Sequence, residues 1–443
     1  MKFIQKTIAN IRKEPDQHLL MLLLFVLPFE RIPSVSMLGI TVRMSLIVGV
    51  IIILRVLYLL YKKQLTFKLI TPYKILAVFL VWIVIIIPES INIKRAVQVV
   101  AYNSYAITLA VAISLLYKKK YLQPMLIALL SGAIAVSIFG LYQYFGDAFG
   151  VPLRYTGLRE RYSNELFGFP RVQSTSLEPL YFASYLLMPA SIVAALVLTG
   201  TKLRHFGAKA TASILVLFGL LIFLTVSRGA IYGLVAMSVF MVGLVMYKRL
   251  SSLKRVGIYI AALLLAFGLS WVLINYLNTN PSELFSKKRG AAVYSDQITK
   301  TTLQDPGDER SIARANAINI LKTEKLSILI GIGPGQYGPY IMNNQPDENG
   351  WTIVNNETLE LILELGMIGF IIIVVFIGYI FIQGLRIVPS KDPLVTVATI
   401  GLLGYLVAEA VQYQSFSTLY ITHIWVAIGL LIGLTRVASE EKR

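Results

Sequence analysis

Apolar residues fall in long runs separated by short polar stretches, and the runs recur from one end of the chain to the other. They centre near residues 18–36, 37–60, 73–89, 96–117, 122–146, 180–199, 209–226, 229–247, 256–277, 356–384, 393–411 and 416–435. A hydrocarbon layer about 30 Å thick takes roughly 20 mainly apolar residues of helix, so these runs have the length of membrane spans. The pattern predicts an all-α fold, a polytopic membrane bundle of about 12 transmembrane helices. Pro28, Glu30, Arg31 and Pro33 interrupt the first run, and Arg43 falls inside the second.

Two stretches are too polar and too rich in Gly, Pro and Asn to span. The shorter, about 148–178, carries Arg154, Arg159, Arg161 and Arg171 among aromatic residues; the longer, 278–354, separates the ninth and tenth runs. Within the longer one, Asp308 to Lys325 reads as an amphipathic helix with an uneven apolar face of Ile312, Ala315, Ile318, Asn319 and Leu321. Gly331, Gly333, Pro334 and Gly335 then break it. The expected organisation is spans one to nine over 1–277, a helical cap over 278–354, and spans ten to twelve over 355–443. No internal repeat relates the two halves, which counts against a transporter built from paired units.

Composition agrees with the pattern, since 56% of the 443 residues are apolar and only 14% charged, outside the range of soluble domains. The net charge of +18 would suggest nucleic acid if it formed one surface, but it does not. Lys62, Lys63 and Lys68; Lys118 to Lys120; Lys202, Arg204 and Lys209; and Lys248, Arg249, Lys254 and Arg255 occupy every second loop. That alternation is the positive-inside signature of a multi-pass membrane protein, so no nucleic-acid partner is expected. It sets both termini inside and both polar stretches outside. The longer stretch, with eight Lys/Arg and eight Asp/Glu, lacks the excess of the inner loops. Lys2, Lys6, Arg12 and Lys13 precede the first run and no small-residue cleavage site follows it, so it reads as a retained anchor.

There are no cysteines and three histidines. Disulfides and thiolate chemistry are excluded. His18 and His205 fall near the inner face and His423 within a span, leaving no histidine for the outer site; a zinc or di-metal centre is not expected, nor any cofactor.

Candidate chemistry lies at the outer ends of the runs. Ser227-Arg228-Gly229 joins two runs in a tight turn; Arg228 either snorkels at a helix end or clamps an anion with its planar fork of donors. Arg310 and Arg314, four apart, share a helix face and either pair with Asp308 and Glu309 or grip a diphosphate together. Gly331-Ile-Gly-Pro-Gly-Gln-Tyr337 is not a nucleotide phosphate loop; it turns the backbone and leaves Tyr337 available to a sugar. Ser176-Leu-Glu178-Pro179 enters a run, where Glu178 is either a cap or a general base. Asn355, Asn356 and Glu357 open the tenth run, with Glu360 and Glu364 on the same side, and Glu409 lies inside the eleventh; carboxylates at membrane depth are functional candidates.

Ser227-Arg-Gly, Arg310, Gly331-Ile-Gly-Pro-Gly and Asn355-Asn-x9-Gly366-x-x-Gly369, in that order around a large polar loop, resemble the O-antigen ligase and polymerase superfamily. The resemblance covers roughly residues 170–380. It implies an integral-membrane glycosyltransferase that takes a glycan from undecaprenyl diphosphate on the outer face of the bacterial inner membrane, without nucleotide sugar or metal. The implied partners are that lipid-linked donor, a glycan or lipid acceptor, the bilayer, and chain-length regulator proteins. The family's arginines correspond to Arg228 and Arg310, which would hold the departing diphosphate with Arg314. Where the ligases have a histidine this chain has Asn355, which cannot act as a base. That departure favours polymerase over ligase; either Glu178 or Glu357 takes the acceptor proton, or the reaction depends chiefly on leaving-group stabilisation and positioning. Tyr155, Tyr162 and Tyr337 are expected along the sugar path.

Overall fold

The computed structural model describes residues 13–31, 34–37, 40–164, 169–277, 309–324, 327–348 and 350–441. Lys2, Lys6, Arg12, Pro33, Asp308 and Lys325, and the long polar stretch up to residue 308, lie outside the described residues. The protein is an all-α membrane bundle. Its helices are α1 (Pro15–Val26), α2 (Met44–Tyr61), α3 (Thr71–Ile85), α4 (Ile93–Leu116), α5 (Leu122–Ala148), α6 (Pro179–Thr199), α7 (Ala208–Leu224), α8 (Arg228–Tyr247), α9 (Leu253–Tyr276), α10 (Glu309–Thr323), α11 (Glu357–Arg386), α12 (Pro393–Gln412) and α13 (Thr422–Glu440).

All but α10 correspond one to one with the apolar runs. Among the described residues, ten helices are long and apolar enough to cross a membrane; α1, with 12 residues, and α7, with 17, fall short of that length. The first two runs require correction. Helix α1 stops at Val26, and an antiparallel hairpin pairs Ser34–Met37 with Ile40–Arg43 before α2 begins. Pro28 has no N–H to continue the helical ladder, which explains the early stop. Arg43 is accordingly the residue before α2, not a charge inside a span.

Helix starts carry local signals. Pro72, Pro179 and Pro393 occupy first turns, where a missing N–H costs nothing. Asn92, Asn356 and Asp392 cap α4, α11 and α12 by accepting the N–H of Arg95, Leu359 and Leu394, each at 2.9 Å. Helices α6 and α12 form the centre of the bundle: 89% and 78% of their apolar stretches are buried, against 28% for α9. Helix α8 packs along α12, α12 along α6, and α13 along α4.

Hydrogen bonds define two ends. At one, Arg55 meets Asp16 at 2.9 Å, Lys119 meets Glu441 at 3.1 Å, and Lys120 meets Glu14; the basic loops lie here. The opposite end gathers the 150–178 segment, α10, the glycine-rich turn and the loop between α12 and α13. Helix α10 lies there on a satellite core of Ala313, Ala317, Ile320, Ile332, Tyr337, Val354 and Leu363. Its buried face differs from the expected one, because Ile312 and Ile318 are 48% and 43% exposed. Ala313 and Ala317 turn inward instead, their small side chains allowing the helix backbone to sit close.

Candidate functional site

The 150–178 segment is stitched to its neighbours by main-chain bonds. Arg31 donates its N–H to Thr175 O at 2.8 Å, the Thr175 hydroxyl donates to Pro28 O, and the Arg31 guanidinium donates to Gly157 O. The Gln143 side chain, from α5, reads both sides of the segment: its amide donates to Thr156 O and Ser174 O at 3.1 Å each, and its oxygen accepts the Ser174 N–H at 2.7 Å.

This framework turns Arg171 inward. Its N–H donates to Tyr162 O at 2.9 Å, while the guanidinium donates to Thr225 O at 3.1 Å and Val226 O at 3.3 Å, in the turn between α7 and α8. Tyr162, 8% exposed, carries Arg161 4.9 Å and Arg171 5.7 Å from its ring centre, a cation–π arrangement. Burial pulls the Arg171 pKa down to about 10; Tyr162 and Glu178 oppose that shift, while Arg310 and Arg228 add to it. Arg171 therefore stays charged at neutral pH within the field of two further guanidiniums, which come from α8 and α10. These half-buried like charges, within each other's field, form a positive region that suits an anion.

Glu178 stands beside this group. Its side chain makes no capping bond to α6 and instead accepts from the Arg161 guanidinium at 2.8 Å. Arg314, one turn beyond Arg310, donates to Gln414 O at 2.6 Å and so ties α10 to the loop after α12. Arg171 was visible in the sequence only as one of four loop arginines. Nothing local distinguished it from Arg154, which lies 4.7 Å from the ring of the 61% exposed Tyr155.

A second grouping opens α11. Glu357 and Glu364 are buried and Glu360 is half-buried on one side of its first turns, and each accepts main-chain N–H groups from a different loop. Glu357 Oε2 accepts from Thr418 at 2.7 Å, Glu360 Oε2 from Val354 at 2.9 Å, and Glu364 from Gly335 at 2.7 Å and Tyr337 at 3.0 Å. The glycine-rich turn thus wraps a carboxylate. These carboxylates line a cavity shared with Arg95, Asn103, Trp351 and Tyr420. Asn103, 5% exposed, leaves its side-chain oxygen without a partner.

Asn355 adopts a left-handed φ of 57°, its N–H donating to Ser417 Oγ at 3.2 Å. The Tyr337 side chain joins neither grouping: it is 2% exposed, and its hydroxyl donates to Ala313 O at 3.0 Å to hold α10. Burial raises its pKa to about 12, with Asn316 opposing through a hydrogen bond.

Helix α13 starts at Thr422, later than the apolar run suggested, so His423 lies in its first turn, inside a helix long and apolar enough to cross a membrane. The Ser184 hydroxyl donates to Glu409 at 2.9 Å and lies 3.0 Å from His423 Nε2, joining three helices in a buried polar chain. Among the described residues, no three His, Cys, Asp or Glu side chains are grouped so as to hold a metal ion.

Residues 213–374, from α7 into α11, match a family model described as O-antigen ligase. No curated protein matches the chain.

Proposed function

We propose that the chain is a membrane glycosyltransferase that polymerises a surface polysaccharide from a glycan carried on undecaprenyl diphosphate, a reading supported by the match of residues 213–374 to the O-antigen ligase family model. The observation that carries this reading is the convergence of Arg171, Arg228 and Arg310, from three separate segments, at the end opposite the basic loops. The positive-inside rule supports an outer-face location for that end in the inner membrane and a cytoplasmic location for both termini.

In this reaction an acceptor hydroxyl oxygen attacks the anomeric carbon of the donor sugar. The bond from that carbon to the diphosphate oxygen breaks, and the diphosphate leaves with the electron pair. Guanidinium groups aimed at the departing oxygens stabilise the charge that develops there. Glu178, within the field of Arg171, takes the acceptor proton, and Tyr162 flanks the sugar. Glu357 faces the neighbouring cavity and orients the acceptor, with Asn355 shaping the turn that precedes it.

A ligase reading, in which finished glycan passes to lipid A-core or another acceptor, is favoured by the description of the matched family; Asn355 favours the polymerase. The purified protein in proteoliposomes, given lipid-linked repeat units, should yield a ladder of lengths. One-step transfer to added lipid A-core with no ladder would favour the ligase. Intact lipid-linked sugar crossing the bilayer without bond exchange would overturn both readings.

A further inference from the structure

At the basic end of the bundle, the turn after α6, the start of α7 and the start of α9 enclose a cavity of about 580 Å³. Lys202, Lys209, Lys254 and Arg255 stand around it, and no acidic residue lines it. The remaining wall is mostly apolar, with Phe206 and Ile258 contributing side chains.

The charges here are compensated differently from those nearby. Arg55, Lys119, Lys120 and Arg436 each meet a carboxylate, whereas among the described residues none of the four cavity cations does. Arg255 is held in place by main chain: it donates to Thr199 O at 2.7 Å, and its guanidinium rests on Gly200 so closely that a β-carbon there would lie 2.5 Å from Cζ. Gly200, with φ of 69°, ends α6 in the left-handed conformation, so this position suits glycine on both counts.

Four exposed cations around one hollow, none meeting a carboxylate among the described residues, give it a positive potential that attracts an anion. The apolar wall sets the second requirement. A small soluble anion would leave that wall wet, whereas an anion joined to hydrocarbon satisfies both surfaces. Helix ends at the membrane boundary are where such a molecule is already concentrated.

We propose that this cavity binds an anionic phospholipid, its phosphate among Lys202, Lys209, Lys254 and Arg255 and an acyl chain along the apolar wall. The proposal does not depend on the transferase reading. The test uses the purified full chain in neutral detergent, titrated with phosphatidylglycerol, with phosphatidylcholine of the same chains, and with inorganic phosphate, and followed by native mass spectrometry and thermal melting. Phosphatidylglycerol should be retained and raise Tm, and the other two should not. The triple change Lys202→Gln, Lys209→Gln and Lys254→Gln should lower phosphatidylglycerol affinity more than about tenfold, while Lys62→Gln, Lys63→Gln and Lys68→Gln together should leave it unchanged. Wild-type binding should also weaken as salt is added. Equal retention of phosphatidylcholine, an equal shift with inorganic phosphate, unchanged affinity in the cavity triple variant, or salt-independent binding would each overturn the proposal.

Discussion

Gly331 and Gly366 lie back to back: a β-carbon on Gly366 would stand 2.1 Å from Leu329 O, and one on Gly331 would stand 2.2 Å from Glu364 O. Gly366 breaks α11 with φ of 70° and ψ of 175°, a region open essentially to glycine alone. The break releases carbonyls, which find partners outside the helix. Leu363 O accepts the Ile332 N–H at 2.9 Å, Glu364 O accepts that of Gly333 at 3.0 Å, and Leu365 O accepts the Trp82 indole at 2.8 Å. The glycine-rich turn thus completes the hydrogen bonding of a broken helix.

Gly366→Ala should therefore detach the turn and loosen α10. Strain alone costs about 1–3 kcal/mol, and the overlap with Leu329 adds to it. Limited proteolysis should cut the 309–354 region faster while the membrane helices stay intact. Unchanged proteolysis would mean that the turn does not depend on the break.

Arg228→Ala should reduce transfer by roughly 10²–10³-fold, the scale of removing one donor that acts on developing charge. Insertion and melting temperature should change little, because the side chain lies at a helix end. Arg228→Lys should recover part of the rate, since charge returns without the planar fork. Wild-type turnover in Arg228→Ala would make this residue a helix-end marker.

Glu30, 8% exposed, lies 3.9 Å from Arg43. Burial holds its carboxyl above the usual range, opposed by Arg43 and by a main-chain bond from Leu177. The folded protein therefore binds this proton more tightly than the unfolded chain. The resulting stability is complete below the unfolded pKa and is lost as pH rises through the raised folded value. Glu30→Gln should melt higher than wild type at neutral pH and equally at acid pH. A lower melting temperature at neutral pH would show that the ion pair with Arg43 outweighs burial.

Tyr337→Phe removes the hydroxyl that bonds Ala313 O. It should lower stability by about 1 kcal/mol and leave KM for the glycan acceptor unchanged. A raised KM at unchanged stability would assign Tyr337 to the sugar path.

The sequence by itself determined the helices, their order and the charge difference between the two ends. Hydropathy and helix starts such as Asp392-Pro393 act within a few residues of one another, so they are legible in a linear reading. It also marked Gly366, Arg228 and Glu357 as unusual, but not what they meet. Only the tertiary structure decided that Arg171 rather than Arg154 turns inward, that Ala313 and Ala317 rather than Ile312 and Ile318 face the core, and that the glycine-rich turn encloses Glu364. Gln143 reaches Ser174 across 31 positions, and Trp82 reaches Leu365 across 283. Such partners are chosen by packing between distant segments, where no local periodicity carries the information.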